Sequence, residues 1–149
     1  MFWRRKRTTI EPGEWPARLG KGRVLVESPD EAELWGYSNI LRLAGYDVAT
    51  CTGPHEDEHE SACCPLIEGR GCPLVDGADV VFSTCSLAES HGILAALGAE
   101  GAPVVFEAPR PRFGDYRDDD PDARLIATPV TAEALLQAVV EARAETRGS

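Results

Sequence analysis

The chain is predicted to form one α/β domain, a doubly wound, five-stranded parallel sheet of order 2-1-3-4-5. Three observations carry that expectation. Five short apolar runs alternate with segments of helical period, which implies parallel strands joined by right-handed crossovers. The helical segments open on capping patterns. The 149 residues, 43% of them hydrophobic, suffice for one packed core and crowd two.

Residues 1–22 hold Pro12, Gly13, Pro16, Gly20 and Gly22 with no apolar period, and read as a flexible basic arm ahead of a domain over 23–149. Arg23-Val24-Leu25-Val26-Glu27 suits a buried first strand. Ser28 is placed to cap the next helix, with Pro29 at its first position and Glu31 closing the capping box. Leu34, Tyr37, Ser38, Leu41 and Ala44 share one face of that helix, and Gly45 ends it. Tyr46 to Cys51 reads as the second strand. Segment 52–77 shows no helical period and is expected to be a Cys-rich loop. Ala78 to Thr84 is the third strand, and Ser86 opens a helix reaching about Leu97. Pro103 to Glu107 is the fourth strand. Segment 109–122, rich in Pro, Gly, Arg and Asp, reads as a loop with little helix. Arg124 to Thr128 is the fifth strand, and Thr131 starts a final helix that buries Leu135, Ala138, Val139 and Ala142.

Charge divides the chain. Residues 1–22 sum to +4 and the remainder to −14. An acidic body repels phosphates, so the domain itself is not expected to bind nucleic acid; a protein partner is expected instead. No apolar stretch approaches the ~20 residues that cross a bilayer, and no apolar run follows the basic cluster at Arg4–Arg7. The expected location is therefore cytoplasmic. In a reducing compartment the five cysteines are thiols, metal ligands or a redox pair before they are structural disulfides.

In this topology the second and third strands flank the first. Cys51 ends the second and Cys85 follows the third, so both lie at the carboxyl edge where such sheets bind ligands. The loop 52–77 crosses the same edge. Cys51, Cys64, Cys72 and Cys85 are thus placed to converge on zinc or an iron–sulfur cluster, with Cys63, His55, His59 or His91 as substitutes. A metal would offset the ordering entropy of a loop of about 26 residues that has no apolar period. No Cys-x2-Cys pair is present, and a thiol–disulfide pair or inert thiols are the other readings. Cys64 to Arg70 matches the Cys-x5-Arg loop of cysteine phosphatases formally. Leu66, Ile67 and Glu68 would crowd or repel an anion there, and Gly71-Cys72-Pro73 does not read as a helix start.

Val24-Leu25-Val26-Glu27-Ser28-Pro29-Asp30, Ala44-Gly45-Tyr46-Asp47-Val48, Gly77-Ala78-Asp79-Val80-Val81 and Thr128-Pro129, taken in order, give the chain a resemblance to response-regulator receiver domains, which are CheY-like and flavodoxin-like. The likeness runs from Arg23 to Ala144, with 52–77 matching poorly. A flavodoxin-like scaffold without receiver ancestry would share this architecture. The resemblance implies a phosphoryl-transfer site: an acidic pair holding Mg2+ after the first strand, an Asp acceptor ending the third, a hydroxyl ending the fourth and a Lys ending the fifth. Those positions fall here on Glu27 and Ser28, Thr84, Glu107 and Thr128, and no Asp lies between Val80 and Glu89. Oxygen ligands for Mg2+ are too few, no carboxylate is placed to form an acyl phosphate, and no cation meets the transferred charge. The expectation is a non-enzymatic, degenerate pseudo-receiver in protein interaction or signalling, whose Cys-rich loop binds a metal or cluster or senses redox state. The alternative is a small cysteine-dependent enzyme, phosphatase-like or thiol-redox.

Overall fold

The computed structural model describes residues 15–51, 72–85 and 101–147. Five strands, β1 (Arg23–Glu27), β2 (Asp47–Cys51), β3 (Val80–Ser83), β4 (Val104–Ala108) and β5 (Arg124–Ala127), form a sheet of order β2-β1-β3-β4-β5. Every neighbouring pair is parallel, as the apolar runs predict. Strands buried on both faces need unbroken apolar sequence, which is why β1 and β3 read as they do.

The two faces are covered differently. Val24, Val26, Val80, Phe82 and Val105 look toward α1 (Glu31–Leu43) and a long C-terminal helix at Ala132–Arg147, packing on Leu34, Leu41, Leu135, Val139 and Ala142. The opposite face presents Leu25 and Val81 to Cys72 and Val75, the latter on α2 (Pro73–Gly77). Farther along that face, Phe106 and Ala108 pack on Tyr116 of α3 (Phe113–Asp119). The C-terminal helix is then α4. Its first turn is capped by the Thr131 hydroxyl, which accepts from Ala134 N at 3.1 Å. Gly45, at φ +102°, turns the chain from α1 into β2 in a conformation that favours glycine.

Four expectations need correction. Asp30, not Ser28, caps α1, accepting from Ala32 N and Glu33 N. The reason is that Ser28 still belongs to the sheet: its N–H bonds Cys51 O at 3.0 Å and it is fully buried. Segment 52–77 is not loop to its end, because Pro73–Gly77 is α2, with Cys72 at the N-cap. Five residues are too few to show a period, and burial of Val75 supplies what periodicity did not reveal. Likewise 109–122 is largely helical, a 3-10 turn at Arg110–Arg112 leading into α3. Tyr116 is its single buried residue, set 5.2 Å from the Phe106 ring, so composition alone resembled a loop. Last, part of the arm is packed against the domain. Residues 15–22 lie on it as a strap, with Trp15 Nε1 donating to Leu74 O at 2.9 Å and Lys21 N to Gly45 O at 2.8 Å. The helix expected over Ser86–Leu97, the arm's residues 1–14, and Cys63, Cys64, His55, His59 and His91 lie outside the described residues.

Candidate functional site

Register places Cys51, Glu27, Ser83 and Phe106 side by side across the carboxyl ends of β2, β1, β3 and β4. Each stands two residues beyond a member of the Ala49–Leu25–Val81–Val104 row. Strand alternation therefore puts all four on the α2 face. Glu27 is wholly buried there, and Ser83 Oγ donates to its Oε1 at 2.5 Å. Ser83 Oγ in turn accepts from Cys85 N at 3.2 Å, so one hydroxyl ties the carboxylate to the turn after β3.

A second group lies on the α1 side. Glu33 occupies the first turn of α1, where a side chain leans back toward the helix N-terminus and so toward the sheet edge. Its Oε1 accepts from Ser28 Oγ at 2.8 Å and from Thr84 Oγ1 at 3.1 Å. Tyr37, one turn further on, meets the Phe82 ring edge-on at 5.1 Å and donates its hydroxyl to Glu107 Oε1 at 3.3 Å. Burial, then the charges of Glu107 and Glu33, then the bond to Glu107 push the Tyr37 phenol well above its ordinary value. It stays a proton donor at any physiological pH.

The sequence-predicted positions therefore arrive largely together. Glu27 and Ser28 close β1, Thr84 follows β3 and joins Ser28 on Glu33, and Glu107 sits on β4 under Tyr37. Thr128 follows β5, its N–H bonded to Ala108 O at 3.2 Å and its side chain exposed. Sequence reasoning missed Glu33, Tyr37 and Ser83 as members of the site. The spacing Asp30-x-x-Glu33 resembles a capping box, but Asp30 N bonds Ser28 Oγ at 3.1 Å and Glu33 takes hydroxyls from distant segments, so no local pattern gave its role.

Of the cysteines proposed as ligands, Cys51 and Cys72 enter the apolar cluster on the α2 face, and Cys85 is 1% exposed after β3. With β1 between their strands, Cys51 and Cys85 are about two strand spacings apart, roughly 10 Å. Cys64 is outside the described residues. Among the described residues no three Cys, His, Asp or Glu side chains are grouped to hold a metal ion. One oxygen each of Glu27, Glu33 and Glu107, the Oε1 atom, accepts from a hydroxyl at this edge.

No family model and no curated protein matches the sequence. Solved structures do. A receiver domain protein from Clostridium thermocellum superposes with a TM-score of 0.61 at 16% identity, over 85% of this chain and 97% of that one. A CheY-like receiver domain protein from Methanospirillum hungatei gives 0.59 at 18% identity, with the same coverage. An adenylate cyclase structure from Rhodopirellula baltica gives 0.57 at 12% identity, over 84% of this chain and 89% of that one. The fold is that of a receiver domain. Among the described residues, no helix of this receiver-like domain is long and apolar enough to cross a membrane.

Proposed function

We propose that this receiver-like domain works in signalling as a pseudo-receiver: it takes up no phosphoryl group and acts through contact with a protein partner. The observation that supports this is the fate of the residue following β3. Thr84 donates its hydroxyl to Glu33 at 3.1 Å, and the preceding Ser83 donates to Glu27 at 2.5 Å. A threonine hydroxyl cannot form the acyl phosphate that an aspartate forms in a receiver. The chain's lysines, Lys6 and Lys21, both precede β1, so none follows β5 to meet a phosphoryl oxygen. The hydroxyl–carboxylate bonds join β1, β3, β4 and α1 in one arrangement, the kind of fixed surface a partner can read without a switch.

Incubation with acetyl phosphate and Mg2+, followed by intact-mass measurement, tests the reading. No mass gain and no change in amide resonances at Glu27, Thr84 or Glu107 are expected. An acid-stable or acid-labile phosphoryl adduct on any residue of this edge would overturn it.

A second reading, metal or redox chemistry at the cysteines, draws support from the packing of Cys51 and Cys72 in one cluster. Elemental analysis of anaerobically purified protein decides it. Stoichiometric zinc or iron supports it, and metal-free protein with five titratable thiols removes it. Turnover of p-nitrophenyl phosphate abolished by Cys64→Ser would favour the enzyme alternative.

A further inference from the structure

Helix α1 buries Leu34, Ser38 and Leu41 against the sheet, and its surface on either side forms two flanks. One flank reaches Glu107 through Tyr37 and belongs to the carboxyl-edge site. The other carries Glu31, Trp35 and Arg42, which the helical repeat gathers within about 40° of arc. That flank overhangs the outer side of β2, the edge strand of the sheet, where Arg42 Nη2 reaches Val48 O at 3.5 Å. Trp35 is 73% exposed on it. A single exposed aromatic is ordinary; its neighbours distinguish this one.

The stripe has opposite charges at its two ends. Glu31 stands in the first turn and Arg42 in the last, both exposed and about 16 Å apart along the axis. Turned end for end about a two-fold axis, the stripe is its own complement, because Glu31 of each copy meets Arg42 of the other. The axis then crosses α1 level with Gly36 and Tyr37. The two indoles stand side by side, offset by roughly 4–5 Å along the helix, within aromatic contact. Each faces Ser38 and Asn39 of the other copy, short side chains that leave it room. A parallel arrangement would set like charges together at both ends.

We infer that this flank of α1 docks a second copy of the chain, forming an antiparallel α1–α1 pair centred on Trp35. Two indoles and two exposed ion pairs make a small interface, so the pairing is weak and concentration-dependent. It stands whether or not the carboxyl edge takes up phosphate. Because α1 starts at that edge, the two carboxyl edges lie at opposite ends of the pair, and both stay open to a protein partner.

Sedimentation velocity of the full chain from about 10 μM to 1 mM tests it, in about 0.15 M salt to screen the net charge of −10. The weight-average mass should climb toward twice the monomer value. Trp35→Ala, at an exposed helical position that alanine suits, should abolish the climb. Glu31→Arg and Arg42→Glu each set like charges together and should each weaken association by about tenfold or more. The two combined should restore it to within about threefold of wild type. Leu43→Ser is the control: Leu43 is 89% exposed, more than Trp35, yet lies about 80° around the helix, and its loss should change nothing. A chain that stays monomeric at the highest concentration would overturn the pairing and leave Trp35 to a different partner. Dissociation by Leu43→Ser would reduce it to general stickiness, and failure of the double reversal would refute the antiparallel match.

Discussion

At the carboxyl edge of the sheet, Glu27, Glu33 and Glu107 are met by hydroxyls from Ser83, Ser28, Thr84 and Tyr37. At the amino edge, Asp79 is met by the Arg18 guanidinium and Arg23 N, and Asp47 by backbone N–H groups of the strap. The same carboxylate chemistry does different work at the two ends. An ion pair in solvent neutralises charge and fastens one piece of chain to another at little net gain. A hydroxyl donor orients a carboxylate without neutralising it, and in a partly buried setting that preserves a local negative field. The Tyr37 phenol is raised first by burial and then by the charges of Glu107 and Glu33. At Asp79 the balance is reversed. Desolvation pushes its carboxyl up, but the bonds from Arg18 and Arg23 N, with the charges of Arg18 and Arg143, outweigh it and hold the group below the ordinary carboxylate range. One edge is held by compensation, the other by orientation.

Three substitutions sharpen that contrast. Ser83→Ala should have the largest effect, because it takes a hydroxyl donor from buried Glu27 and an acceptor from Cys85 N. A loss of about 2–3 kcal/mol in urea denaturation is expected, with little dependence on salt. A loss below about 0.5 kcal/mol would mean that the Glu27–Ser83 bond does not organise the carboxyl edge. Asp79→Asn comes next, at about 1 kcal/mol at neutral pH after allowance for solvent screening. Its sign with pH follows from the depressed folded value. The carboxylate's contribution is complete above the ordinary Asp range and is lost as pH falls through the folded value. Wild type and variant should therefore converge in acid, and a gap that persists there would show that Asp79 acts by shape alone. Arg18→Ala should have the smallest effect, a shift in denaturation midpoint at the limit of detection that vanishes in high salt. A large, salt-insensitive shift would place the strap among the buried, rigid parts of the fold.

How legible these features were follows from the range of the forces behind them. The strands of the sheet, the apolar face of α1 and that of α4 could be read because burial on both faces demands continuous apolar residues and a helix repeats every 3.6. The Asp30 cap was harder, since Ser28 offers an equally good capping side chain. Only the pairing of Ser28 N with Cys51 O, between residues far apart in sequence, takes that serine out of the helix. Glu27, Ser28, Thr84 and Glu107 could be placed at one edge from topology, but nothing local announced that Glu33 would gather two of their hydroxyls.

Alone, the amino-acid sequence determined the class of fold, the strand order and the absence of any carboxylate or lysine at the ends of β3 and β5. These follow from residue identity and short-range periodicity. The tertiary structure decided that α2 and α3 are helices, that Trp15 seats against Gly77, and that Glu33 turns inward. Each of those rests on one or two contacts between distant segments, and a contact of that range leaves no repeat in the chain from which to infer it.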